Sequence, residues 1–405
     1  MTIKQFYPTQ RPALDLNFAR QKRLDPRVTF TRGSIATYVG SDGLIKTVAD
    51  NEARFDHDPE TGESLGLLVE ESRTNYIDES NDLSQWNRQL NSPVFDANTT
   101  DTLSPDGTYN STKITGGTSS GASRDNILAV SASTTYTASI FAKKGTTDSF
   151  RVELGSGGDR VAVNFNLSTK EFDSISAGGY FTSYSLSYVD YPNGWVRVIV
   201  SGTTDGSASG NINLALYGVT NGYIYFWGAQ LEAGSFPTSY IPTSGSAVTR
   251  AADVAEITGS NFSSWYNQSA GTVFVNTKPP ASQANVVVTS FTGNIDNRLE
   301  VRSTGTAIST YRNVIVSGGA VQYDTTGSSG GVGYRKIALR YGSNDAQSAA
   351  AGVLGVQDNA VTIPTVSKLF LGNDTFATTL RPNHIARLTY YPYRLPDATL
   401  QEITS

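Results

Sequence analysis

The chain contains no cysteine, which excludes disulfides, thiolate metal sites and cysteine nucleophiles together. Histidine is nearly as scarce. His57 and His384 are the only two, too few for a site built on several imidazoles. Basic charge is also short, with 31 Lys and Arg against 36 Asp and Glu and a formal net charge of −5. A nucleic-acid binder needs a basic field to displace counterions from phosphates, so no nucleic-acid partner is expected. No apolar run approaches the roughly 20 residues that span a bilayer, and membrane insertion is not expected either.

What is abundant is Gly, Ser, Thr and Asn, with Tyr, Phe and β-branched residues recurring throughout. This usage suits many short strands joined by tight turns, so the fold class is mainly β. A chain of 405 residues is too long for one ordinary core. Residues 1–75 read as an N-terminal arm and a small β-rich docking segment. The arm carries Arg20, Lys22, Arg23, Arg27 and Arg32 close together, a partner-facing or solvated cluster, behind the alternating Leu14, Leu16 and Phe18. Residues 76–242 read as a jelly-roll sandwich, with strands such as Phe150-Arg-Val-Glu-Leu and turns at Asn193-Gly194 and Asn221-Gly222. Its last strand, from Gly222, alternates Tyr223, Tyr225, Trp227, Ala229 and Leu231 on one face. Residues 243–255 read as a polar linker and 256–405 as a second, concanavalin-like sandwich, closing with a helix at Pro396-Asp-Ala-Thr-Leu-Gln-Glu-Ile.

The motifs resemble a group of tailed-phage virion proteins, tail-fibre or minor structural proteins. The likeness rests on Ser34-Ile-Ala-Thr-Tyr38, Asn51-Glu-Ala-Arg-Phe-Asp-His-Asp-Pro59 and Gly62-Glu-Ser-Leu-Gly-Leu-Leu-Val-Glu-Glu-Ser-Arg-Thr-Asn75. It continues in Asn81-Asp-Leu-Ser-Gln-Trp86, Gly194-Trp195, Trp227-Gly-Ala-Gln-Leu-Glu-Ala-Gly234 and Thr238-Ser-Tyr-Ile-Pro-Thr-Ser244. The resemblance implies a carbohydrate-binding-module-like jelly roll followed by a laminin-G-like sandwich, a virion location and recognition of glycans. It carries over no catalytic residue. The segment Met1 to Phe6 lacks the apolar core of a signal peptide, and a virion protein released by lysis reconciles this with an extracellular style of composition.

Gly62-Glu-Ser-Leu-Gly66 matches the spelling of an esterase elbow, but a turn precedes it and a strand-like run follows, so its glycines read as turn residues. Asp56, Asp58, Glu60 and Glu63 gather oxygen ligands that would suit a structural Ca²⁺, against the alternative of a solvated hairpin tip. Glu70 and Glu71 are strand neighbours on opposite faces and cannot flank one glycosidic bond. Gly327-Ser-Ser-Gly-Gly-Val-Gly333 lacks the lysine of a phosphate loop and reads as a turn. Tyr180, Tyr184, Tyr188 and Tyr191, with Asp190 and Asn193, form a tyrosine-rich stretch that could stack a pyranose and read its hydroxyls, or could fill a core or an interface. Trp86, Trp195, Trp227 and Trp265 read as core.

These readings converge on a non-enzymatic tail fibre or receptor-binding protein, with no cofactor beyond a possible structural Ca²⁺. Its expected partners are other virion proteins through the N-terminal segment and a host surface glycan, with avidity supplied by a homo-oligomer, a trimer for a fibre. The alternatives are a capsid decoration or head-fibre protein, and a polysaccharide depolymerase.

Overall fold

The computed structural model describes residues 11–278, 286–304, 310–329, 333–372 and 383–405. The Met1–Phe6 segment, the start of the expected strand at 307–311 and part of the glycine-rich run at 327–333 lie outside the described residues.

The protein is mainly β and consists of two antiparallel β-sandwiches. In the first, one six-stranded sheet runs in the order Phe181–Tyr191, Trp195–Thr204, Thr135–Lys144, Gly222–Ala233, Thr112–Gly116, Val94–Ala97. The facing sheet runs Glu171–Ala177, Asp159–Asn166, Ser149–Ser156, Asn211–Val219, Ser120–Ala129, Arg88–Leu90. Each strand alternates, so that Phe150, Val152 and Leu154 of one sheet meet Ile140, Val198 and Phe226 of the other in a single core. All four tryptophans are buried, and each indole N–H is satisfied; Trp227 donates to Asn110 Oδ1 over 2.6 Å.

The second sandwich is assembled from both ends of the chain. Its eight-stranded sheet joins Leu14–Leu16, Arg54–His57 and Ser64–Val69 to strands from residues 270–391. Its seven-stranded sheet begins with Thr29–Thr31, paired to Val254–Thr258. Leu14, Leu16, Phe18 and Phe30 are therefore buried in the same core as Val275, Leu339 and Leu388. The first sandwich is an insertion within the second. Within the expected linker, Val248–Arg250 pairs with Arg73–Asn75, and Asp253 is fully buried. The closing helix forms at Asp397–Thr404 and packs Leu400 against Ala338 and Ala349.

Two sequence expectations change for physical reasons. Strict alternation along Gly222–Ala233 fails at Gly228, whose φ of +63° accommodates one extra residue while the pairing slips between Ser139 and Phe141. Tyr223, Tyr225 and Trp227 consequently pack outward with Phe141 and Tyr240, whereas Ala229 and Leu231 face the core with Ile224 and Phe226. Arg32, grouped by sequence with a solvated arm, is buried instead.

Arg32 belongs to a buried ionic junction between the two sandwiches. Arg54 bonds Glu70 over 2.7 Å and also pairs with Asp253, which in turn meets Arg32 at 3.2 Å. Glu70 also accepts from the Ser239 backbone N–H at 2.9 Å and hydroxyl at 2.7 Å, tying in the segment that leaves the first sandwich. Burial alone would raise the Glu70 carboxyl; Arg250 and Arg54 reverse this and hold it far below the usual carboxylate range. Asn75 donates to the carbonyls of Ala229 and Ile241, Glu232 accepts from Thr238, and Gln230 accepts from Ile241. Many of the motif residues between 70 and 240 thus fix the junction.

Candidate functional site

The tyrosine-rich stretch does not form one surface. Tyr184, Leu186 and Tyr188 share a face of the edge strand Phe181–Tyr191, opposite Gly202, Val200 and Val198. Tyr184 is 47% exposed and Tyr188 39%, with the Tyr188 ring 5.5 Å from Phe165, where it covers the open side of the core. Asp190 follows on that face and pairs with Lys170 at 3.0 Å. Tyr180 is buried beside Phe181. Tyr191 turns to the opposite face and packs edge-on against Phe141, where burial pushes its phenol up to about 12. Asn193 occupies the exposed left-handed turn before Trp195.

The acidic stretch is similarly dispersed. Asp56 accepts from the Val39 N–H at 2.6 Å and contacts His384 Nε2 at 2.7 Å. Asp58 caps the turn by accepting from the N–H groups of Glu60 and Thr61, and meets Lys278 at 3.4 Å. Glu60 and Glu63 are exposed on that hairpin. Among the described residues, no three His, Asp or Glu side chains are grouped to hold a metal ion. Asp56, Tyr191 and His384 line an open cleft of about 180 Å³ between the sandwiches. Ser64 opens an antiparallel strand, and a Cβ on Gly66 would lie 2.3 Å from the Ile385 carbonyl oxygen, so the Gly-x-Ser-x-Gly sequence serves close strand packing.

The outer face of the Arg88-containing sheet carries a different arrangement, missed in the sequence. Pairing places Arg88, Ser123, Ala215, Glu153 and Ala162 on one rung that crosses five strands. On an adjacent rung Tyr217 opposes Arg151, and beyond Glu153 the hairpin brings Gly155 opposite Arg160. Of these, Arg88, Ser123, Ala215, Glu153, Gly155, Arg160 and Tyr217 line an open trough of about 250 Å³. Three strand spacings, about 14 Å, separate the Arg88 and Glu153 backbones, and the small Ser123 and Ala215 keep the floor between them low.

Glu153 is the fixed point of this trough. Its carboxylate accepts a 2.9 Å hydrogen bond from the Tyr217 hydroxyl and is only 12% exposed. Burial, then the bond to Glu153 and its charge, raise the Tyr217 phenol, so it remains a donor. Arg160 lies 3.7 Å and Arg151 4.0 Å from the same carboxylate, too far for strong hydrogen bonds. Arg151 Nε is buried and has no hydrogen-bond partner among the described residues. On the opposite wall Arg88 is 61% exposed and 3.6 Å from Asp125. Chemically, the trough offers guanidinium donors on both walls, one oriented carboxylate acceptor, a tyrosine and a low floor.

No protein-family model and no curated protein sequence matches the chain. Among solved structures it is similar in part to the CBM40 of Ruminococcus gnavus IT-sialidase bound to α2,3-sialyllactose, at 17% identity over 36% of this chain and 88% of the other, with a TM-score of 0.31. It is similar to the botulinum neurotoxin type G receptor-binding domain at 10% identity over 37% and 38%, TM-score 0.28. It is also similar to Trypanosoma rangeli sialidase at 10% identity over 64% and 60%, TM-score 0.29. At these TM-scores the likenesses carry no argument about ligand or activity.

Proposed function

We propose that the chain is a non-enzymatic phage virion protein, a tail fibre or receptor-binding component, whose first sandwich holds a host surface glycan in the trough between Arg88 and Glu153. The observation that carries this reading is the trough itself. Sugars present hydroxyls in both donor and acceptor roles, and Glu153, Tyr217 and the surrounding arginines offer complementary partners on a rigid sheet. A site on strand backbones is pre-organised, which limits the ordering lost on binding.

The virion placement rests on the sequence motifs, and the buried junction at Arg54 and Glu70 gives those motifs a structural purpose. Binding without hydrolysis is favoured because Glu153 is the one carboxylate among the residues lining the trough, whereas glycosidases flank the bond with two. Modest affinity at one trough would become useful adhesion through repetition of the chain in a fibre.

Immunogold labelling of intact particles, together with adsorption of the purified chain to host cells, tests the reading. Label on the tail and saturable adsorption support it. Label spread over the head would assign the protein to capsid decoration, and falling viscosity of host polysaccharide on incubation would make it a depolymerase.

A further inference from the structure

Resting on the glycan reading, we infer that the trough selects acidic glycans, in which a carboxylate-bearing sugar is held by Arg88 and Arg160 while Glu153 accepts from its hydroxyls. Arg88 stands on one wall and Arg160 on the other, and among the described residues lining the trough Glu153 is the one carboxylate. Glu153 is held by Tyr217 and lies 3.7 Å or more from either neighbouring arginine, so it neutralises neither by a close bidentate pair.

Donor capacity points the same way. Arg88 reaches Asp125 only at 3.6 Å and remains largely open to solvent, leaving its planar fork available for a bidentate carboxylate. A neutral sugar would engage Glu153 and Tyr217 but would leave the exposed Arg88 fork without an anionic partner in the trough. A highly charged polyanion would meet the Glu153 carboxylate on the floor, which favours isolated carboxylates among hydroxyls over contiguous phosphates.

Titration calorimetry of the full chain with matched probes tests this: 3′-sialyllactose against lactose, and an oligoglucuronate against the corresponding neutral glucose oligomer. The expected result is binding at least about tenfold tighter for an acidic probe than for its neutral partner, weakened by added salt. The preference should fall to twofold or less in an Arg88→Gln, Arg160→Gln double variant, while that variant's thermal unfolding stays at the wild-type midpoint because both side chains project from the sheet's outer face. Equal binding of acidic and neutral probes overturns the acidic assignment and leaves the glycan reading standing. Failure to bind any member of a panel of neutral and carboxylated surface glycans overturns both.

Discussion

Tyr217 and Glu153 lie on neighbouring antiparallel strands, two residues out of register and so on the same face, and the phenol of the first donates to the carboxylate of the second over 2.9 Å. That bond turns a flexible acid into a fixed acceptor at the centre of a sheet face. Removing the hydroxyl should therefore affect recognition more than folding. Tyr217→Phe is expected to weaken glycan binding about tenfold, the equivalent of about 1.4 kcal/mol, and to change unfolding free energy by about 1 kcal/mol or less. Parallel titration and denaturant unfolding check this; a larger loss of stability than of affinity would make the bond structural.

The buried junction gives a pH dependence whose sign follows from Glu70. Its folded-state value is depressed below the ordinary 4.5 by Arg250 and Arg54, so its stabilisation is complete above that value and is lost as pH falls below it. Glu70→Gln leaves Arg54 and Arg250 short of a buried partner and should cost about 3–5 kcal/mol at neutral pH. The gap between wild type and variant should narrow below about pH 4.5 in urea unfolding. A gap constant from pH 7 to pH 3 would contradict this assignment.

The bulge at Gly228 predicts a local backbone effect. Its φ is +63°, and a Cβ there would lie 2.9 Å from the Phe141 ring. Gly228→Ala should destabilise the first sandwich by about 1–3 kcal/mol, measured by denaturant unfolding followed through tryptophan fluorescence. An unchanged midpoint would place the face switch elsewhere.

The chain-end assembly of the second sandwich predicts that the N-terminal strand is part of its core. Leu16 is buried beside residues from the other end of the chain, so Leu16→Ala should cost about 2–5 kcal/mol. Hydrogen exchange should show lost protection in Ala270–Lys278 and Asn383–Tyr391, not in the first sandwich. Unaltered protection there would show the arm to be dispensable.

Much of this fold was legible in the sequence because period-2 alternation and turn residues mark strands locally. Phe150-Arg-Val-Glu-Leu, the Asn193-Gly194 and Asn221-Gly222 turns and the closing helix all read from short windows. Chain-end pairing did not, since the alternation of Leu14, Leu16 and Phe18 marks a short strand but says nothing of a partner beyond residue 380. A single signal marked the bulge: an isolated glycine inside a strong strand pattern. The trough was hidden for a topological reason. Arg88, Ser123, Glu153, Arg160 and Tyr217 each look like the solvent-facing member of an ordinary alternating strand. Only the order of five strands brings them onto one surface. The tyrosine stretch showed the opposite problem, because closeness in sequence on a strand sends neighbours to opposite faces.

If glycan binds on the trough floor, a bulky side chain placed there must block it. Ala215 faces outward on the rung between Ser123 and Glu153, so a tryptophan there would fill the trough while leaving the core side of the sheet unchanged. Titration of the host's surface polysaccharide into wild type and Ala215→Trp should show binding to the first and at least a tenfold loss in the second, with matched circular dichroism spectra. Wild-type affinity in the blocked variant would rule out the trough and place any glycan site elsewhere.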